Sequence, residues 1–229
     1  MLTRIGIIGT GMVGRAHAAK RSSEGHAVMI GTRDPRTTMA RIGKDPFGNP
    51  PFAEWAEANP DVRLGTFEEA AKHGEMIINA AKGDHTLEAP KLAKEGNLNG
   101  KVLIDILNPL DFSRGAPISL TVSNTDSLGE QVQRTLPRAN VVKTLNTINA
   151  YRQVDPRQLA AGDHHVFVSG NDPEATAMVA GFLRDWYGWK NVIDRGDITT
   201  SRGAEMRLPV WTMLLSALKT PFFNFKIVT

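Results

Sequence analysis

The chain has 229 residues, 41% of them hydrophobic, enough to bury a full core in one domain or one and a half. It contains no cysteine, which excludes disulfides, thiolate catalysis and cysteine-ligated metal. Its 27 basic and 24 acidic side chains give a net charge of +3, and the basic residues are scattered without aromatic interleaving, so an anionic small ligand is favoured over nucleic acid.

The apolar run Ile5-Gly6-Ile7-Ile8 reads as a buried parallel strand, and Gly9, Gly11 and Gly14 follow at the G-x-G-x-x-G spacing where such a strand turns into a helix. Gly9 permits the tight turn and Gly11 lets the backbone approach a pyrophosphate. Gly14 lets the helix pack close to the strand, and the free N–H groups of the helix start face the phosphates. The chain enters this strand almost at once, leaving no room for a signal peptide, so a cytoplasmic protein is expected.

The second strand, His26 to Gly31, ends in Thr32-Arg33, where an NAD site would place an Asp or Glu for the ribose 2′-hydroxyl. A guanidinium offers paired donors and fixed charge to a 2′-phosphate, so this corner reads as an NADP site. Thr10 can add a hydroxyl to the same phosphate and Arg36 a second cation. Asp34, followed by Pro35, fits a helix N-cap instead.

A helix is expected from Arg33 to about Gly43. Lys44 to Pro60 carries Pro46, Pro50, Pro51 and Pro60 around a short helix at Phe52 to Ala58, and reads as cover over the sheet. Then come a strand at Val62 to Leu64, a helix at Phe67 to Lys72, and a fourth strand at Met76 to Ala81. The small residues Ala80 and Ala81 at its end let a cofactor lie against it. A helix at Thr86 to Lys94, a fifth strand at Lys101 to Ile106, a helix around Ser127 to Thr135 and a sixth strand at Val141 to Leu145 complete the alternation. The pattern predicts a Rossmann-type, doubly wound parallel sheet forming an NADP-binding domain over residues 1–150.

Ligands on such sheets bind outside the carboxyl ends of the strands, which singles out Ala80-Ala81-Lys82, Asn108-Pro109-Leu110 and Asn146-Thr147-Ile148-Asn149. The amides of Asn108 and Asn146 suit the nicotinamide or ribose, although an Asn before proline also fits a plain turn. His85, just past the fourth strand, either touches ligand or only caps and packs. The pair His164-His165 lacks metal-ligand spacing, and no metal is expected.

Residues 151–229 are expected to form a small C-terminal α/β cap. It comprises a strand at His165 to Ser169, a helix at Pro173 to Trp186 capped by Asp172, a strand at Val192 to Asp194, and a helix over Thr199 to Lys219 kinked at Pro209. Met206, Val210, Met213, Ala217 and Trp211 on that last helix are either core or one wall of a flat pocket above the nicotinamide. The apolar run Leu208 to Leu218 is too short to span a bilayer, so no membrane contact is expected. The closing segment with its phenylalanines is the expected surface of a homodimer.

Several of these motifs together resemble one family. They are the glycine loop with Thr10, the Gly31-Thr32-Arg33 corner, Asn108-Pro109-Leu110, Ser113-Arg114-Gly115, Leu136-Pro137-x-x-x-Val141-Val142-Lys143 and Asn146-Thr147-Ile148. Ser169-Gly170-Asn171-Asp172, Ser201-Arg202 with Glu205, and the closing aromatic segment continue the match. In these the chain is similar, over nearly its whole length, to the NADP oxidoreductases dependent on the deazaflavin coenzyme F420, and more distantly to the animal metalloreductases with a related N-terminal domain. The resemblance implies hydride transfer between NADPH C4 and the C5 of a stacked deazaflavin, with no covalent intermediate and with the protein mainly orienting the two rings. It places Thr10, Thr32 and Arg33 on the 2′-phosphate and Gly11, Met12 and Val13 on the pyrophosphate. Ala80, Asn108 and Pro109 fall on the nicotinamide side, and Ile148 near the deazaflavin. The chain departs from the family where a histidine stands in place of Asn146, a proline in place of Asn149, and a glycine-rich segment in place of Thr220 to Phe225. The hydride acceptor is therefore a small molecule left open between the deazaflavin, an ordinary flavin and an unrelated carbonyl compound. A redox sensor or non-catalytic subunit that binds NADP(H) is the alternative, since function belongs to the site and not to the fold.

Overall fold

The computed structural model describes residues 2–45, 48–81, 87–115 and 117–229. The chain runs through β1 (Arg4–Ile8), α1 (Met12–Ser23), β2 (Ala27–Thr32), α2 (Pro35–Ala40), α3 (Phe52–Glu57), β3 (Arg63–Thr66), α4 (Phe67–His73), β4 (Met76–Asn79), α5 (Glu88–Leu92) and β5 (Val102–Asp105). A two-strand hairpin, β6 (Leu110–Asp111) with β7 (Ser119–Leu120), leads to α6 (Leu128–Thr135), β8 (Asn140–Thr144) and α7 (Ala150–Val154). The remainder is β9 (His165–Gly170), α8 (Pro173–Tyr187), β10 (Asn191–Asp194), α9 (Ser201–Glu205) and α10 (Leu208–Leu218).

Eight strands form one sheet in the order β10-β9-β8-β5-β4-β1-β2-β3. Consecutive residues of its central strands point into two separate cores. Ile7, Ile78, Ile104 and Val142 join the cluster packed with α8, while Ile8, Ile77, Leu103 and Val141 join the cluster packed with α6. Burial on both faces explains why these strands read as unbroken apolar runs without polar alternation. The expected cover is present: Phe52 and Trp55 of α3 pack on the first cluster, and the Arg15 guanidinium donates to the carbonyl of Pro50 (2.6 Å). Asp34 and Asp172 cap α2 and α8 through their side chains.

Two features differ from the expectation. The sheet is mostly parallel, but β9 pairs antiparallel with β8, while β10 runs parallel to β9. Between β8 and β9 the chain makes only the short α7 and two single 3-10 turns. There is no long crossover helix to carry it back to the starting edge of the sheet, so it returns in the opposite direction. The single kinked helix expected over Thr199 to Lys219 is two helices. Pro209 falls in the first turn of α10, where its missing N–H costs nothing, and the chain restarts there instead of bending. Of α10 only Leu208 is buried; Val210, Met213 and Leu218 are exposed. The residues beyond it run alongside β9, with the His165 N–H donating to the Phe225 carbonyl (3.1 Å) and Trp211 stacked on Phe223.

Candidate functional site

The parallel strands β2, β1, β4, β5 and β8 are contiguous in the sheet, so their carboxyl ends form one edge. Gly9 to Val13 follow β1, Thr32 and Arg33 close β2, Ala80 and Ala81 follow β4, Asn108 and Pro109 follow β5, and Asn146 and Ile148 follow β8. Arg36 lies exposed in the first turn of α2. Lys82 and His85 lie outside the described residues, as does the expected start of a helix at Thr86.

The three glycines of the β1–α1 turn do different work. Gly9 has φ +119°, and a Cβ there would run into the carbonyl of Ala80; a Cβ on Gly14 would run into the carbonyl of Gly9. Both are demanded by the protein's own backbone. Gly11 has φ −74° and ψ −178°, an extended conformation open to any residue, and a Cβ there would meet nothing within 4 Å. It is exposed at the N-cap of α1, no side chain caps the helix, and no acidic residue stands in its first turn. The one of these three glycines that the surrounding backbone does not need thus faces open space in front of a bare helix N-terminus, the arrangement an anion requires. A pyrophosphate fits it.

At the end of β2 the structure separates Thr32 from Arg33. Thr32 is buried and its hydroxyl is hydrogen-bonded to that of Thr38 (2.8 Å), whereas Arg33 is half exposed and pairs with Glu88 (2.9 Å). Thr10 keeps a partly exposed position, with its carbonyl held by Arg15 Nε (2.9 Å).

Asn108 and Asn146 grip each other. Asn108 Nδ2 donates to the backbone carbonyl of Asn146 (2.9 Å), and Asn146 Nδ2 donates to Asn108 Oδ1 (3.0 Å). The pair ties the segment after β5 to the segment after β8. Asn146 is buried, and Ile148 sits within the first apolar cluster.

Beneath this edge lies a buried charge cluster that the sequence reading did not assemble. Lys143 of β8 is fully buried and its Nζ contacts Asp105 Oδ2 (2.9 Å), Glu205 Oε1 (2.8 Å) and the Leu107 carbonyl (2.6 Å). Burial opposes the Lys143 charge, but the two carboxylates outweigh it and hold its pKa above the ordinary value. Burial pushes Asp105 up, against the pull of Lys143. Glu205 also accepts from the N–H groups of Leu128 and Gly129, so it caps α6 while it neutralises Lys143. Asn79 donates to Asp105 Oδ1 (3.1 Å), and its own Oδ1 is buried without a partner among the described residues. The available signal was a charged residue inside each apolar strand, Leu103-Ile104-Asp105 and Val141-Val142-Lys143. Among the described residues no group of three or more His, Asp or Glu is placed to hold a metal, and no helix is long and apolar enough to cross a membrane.

A doubly wound sheet with this glycine turn and this strand-end ledge is a Rossmann-type dinucleotide-binding fold, and its relatives make it an NADP-dependent oxidoreductase. Residues 4–109 match the sequence profile of the family described as NADP oxidoreductase, coenzyme F420-dependent. A protein from Arthrobacter sp. FB24, assigned as an F420-dependent NADP-reductase, is 52% identical to this chain. Its crystal structure superposes with a TM-score of 0.93 over 99% of this chain and 100% of that one. The chain belongs to this family. It is also 27% identical, over 98% of its length, to the metalloreductase STEAP3 of Rattus norvegicus, of which it spans only 42%. The protein SMa0349 from Sinorhizobium meliloti shares the fold, at 20% identity and a TM-score of 0.64 over 87% of this chain and 88% of that one.

Proposed function

We propose that the chain moves a hydride between NADPH, seated along the carboxyl edge of β2, β1, β4 and β5, and a deazaflavin of the coenzyme F420 type held at the segment after β8. The observation that carries the cofactor half is Gly11, the one glycine of the β1–α1 turn that the surrounding backbone does not demand and a dinucleotide does. Arg33 supports the choice of NADP. Its pairing with Glu88 joins two half-exposed side chains, an interaction worth about 0–1 kcal/mol, which a 2′-phosphate can displace. The acceptor half is supported by the family and by the Arthrobacter protein, 52% identical over its whole length.

When bound, NADPH supplies the hydride from C4 of its nicotinamide, so the chain needs neither a nucleophile nor an acid–base pair. Its residues position. The first N–H groups of α1 hold the pyrophosphate, Ala80 and Ala81 give the ring a low wall, and the interlocked Asn108 and Asn146 fix where the two strand ends stand relative to each other. Holding two planar reactants face to face supplies much of the rate by itself.

The test is NADPH oxidation with a panel of coenzyme F420, FMN, FAD, quinones and aldehydes, using NADPH deuterated at C4. Oxidation with F420, with the label carried into the reduced deazaflavin, is the expected result. Label lost to water would overturn direct transfer, and oxidation by another member of the panel would replace the deazaflavin. If nothing in the panel oxidises NADPH, the chain is a sensor or a non-catalytic subunit.

A further inference from the structure

The segment that joins β8 to α7 begins with a strained residue. Leu145 is buried and has φ +59°, in the left-handed region that side chains rarely enter. Its carbonyl accepts a hydrogen bond from Gln153 Nε2 (3.0 Å), and the same nitrogen donates to the Ile148 carbonyl (3.1 Å). One carboxamide on α7 therefore pins both ends of the turn that carries Asn146. Because its two N–H bonds are spent on backbone carbonyls, Gln153 Oε1 must accept from what it faces, His17 Nε2 at 2.9 Å. That places the imidazole proton on Nε2, and His17 Nδ1 then accepts from the Tyr187 hydroxyl at 2.7 Å. His17, Gln153 and Tyr187 are all buried. Burial first, and the nearby Arg21 charge besides, push the His17 pKa down to about 4, so the ring stays neutral and keeps this single tautomer.

We propose that the chain Tyr187–His17–Gln153 is a positioning device that sets the 145–149 turn, and with it Asn146, relative to the glycine turn. The inference rests on reading the strand-end ledge as the cofactor site. Its physical basis is that His17 stands on α1, the helix whose N-terminus faces the proposed pyrophosphate. The turn after β8 is thereby referenced to the same rigid element that would hold the cofactor. Hydride transfer depends steeply on the separation of the two rings, and a displacement of about 1 Å far from the chemistry can cost about a hundredfold. A buried histidine that merely satisfied the core would affect stability alone.

Two measurements decide the point. The first is hydrogen exchange of the 145–149 amides in the unliganded protein; the second is the comparison of NADPH affinity with turnover on coenzyme F420. In Gln153→Met, which keeps the side-chain length and loses all three bonds, exchange in 145–149 should rise at least tenfold while β1 and β4 stay unchanged. NADPH affinity should change less than threefold and turnover should fall at least thirtyfold. Tyr187→Phe removes one hydroxyl and keeps the ring, so it serves if Gln153→Met does not fold; it should shift exchange and turnover in the same directions by at least threefold. Wild-type exchange in 145–149 in a folded variant would overturn the proposal, as would NADPH affinity falling in step with turnover. If the unmodified protein neither binds nor oxidises NADPH, the reading of the ledge fails, and the exchange comparison still decides whether these three residues set the turn.

Discussion

Adding a methyl group at Gly11 should leave the fold intact and remove the cofactor, whereas the same change at Gly14 should damage the fold itself. At Gly11 the new Cβ meets nothing within 4 Å, and the extended backbone suits an L-residue. Alanine there gains about 0.4–1 kcal/mol by restricting the unfolded chain and gives back a similar amount as a poorer helix N-cap, so stability without cofactor should stay within about 1 kcal/mol of the parent. At Gly14 the Cβ would collide with the rigid carbonyl of Gly9, and forcing atoms into packed space costs about 1–3 kcal/mol, or more when backbone must move. Binding should show the reverse order of sensitivity. The methyl group of Gly11→Ala occupies the approach to the helix N-terminus and should weaken NADPH at least tenfold, about 1.4 kcal/mol, and the bulkier Gly11→Val should weaken it at least a hundredfold. Because the obstruction is at the pyrophosphate, NADH should lose as much as NADPH. Urea unfolding without cofactor and calorimetric titration with both dinucleotides make the comparison. A Gly11→Ala protein destabilised as much as Gly14→Ala, or a folded Gly11→Val protein that binds NADPH normally, would refute the assignment of the glycine turn as a phosphate cradle.

NADPH should bind at least tenfold more tightly than NADH, and Arg33→Ala should weaken NADPH alone by removing a charge-assisted contact worth about 1.5–3 kcal/mol; equal affinities in the unmodified protein would sink this reading. Stability should also depend on pH through His17. The ring takes up its proton near pH 6.5 when unfolded but only near pH 4 when folded, so the unfolded chain binds the extra proton between these values and stability falls as pH is lowered through that window. The contribution is fully present above about pH 6.5 and lost by about pH 4, a total of about 3 kcal/mol. Buried His26, also depressed, acts in the same direction, so the quantity to measure is the difference between the parent and His17→Gln; a parallel pH dependence in the two proteins would contradict the burial argument.

Much of the architecture could be read from local pattern, because a strand buried on both faces leaves an apolar run and each turn leaves its glycine or proline. The runs around Ile5, Ile77, Leu103 and Val141 are of this kind, and Asp34-Pro35 and Asp172-Pro173 cap helices by a chemistry confined to adjacent residues. Strand direction has no such signature. Nothing in His165 to Ser169 distinguishes a parallel from an antiparallel neighbour; only the lack of a crossover helix after β8 does. In the site, the spacing of Gly9, Gly11 and Gly14 was legible, since Gly9 and Gly14 answer to neighbouring backbone and Gly11 to the anion proposed at the helix start. The commitment of the Thr32 hydroxyl to Thr38 was not, nor was the mutual grip of Asn108 and Asn146, because each depends on how side chains turn once the strands are paired. The same holds for His17, Gln153 and Tyr187, which stand on three separate helices and meet only in the assembled core.

The contact between Lys143 and Glu205 has a consequence for how the protein is made. Lys143 lies on a central strand, and one of its two carboxylate partners comes from α9, late in the chain. While residue 205 is still inside the ribosome, the nascent β5–β8 pair must bury an ammonium group with Asp105 alone, and α6 must form without the acceptor for the N–H groups of Leu128 and Gly129. Lys143 then lacks one of its three acceptors and the two helix N–H groups lack theirs, and unpaired buried polar groups are costly, so the middle of the sheet should remain unsettled until α9 has emerged. The sheet would then close nearly at once when α9 arrives, with the ledge after β5 and β8 among the last of these parts to take its shape.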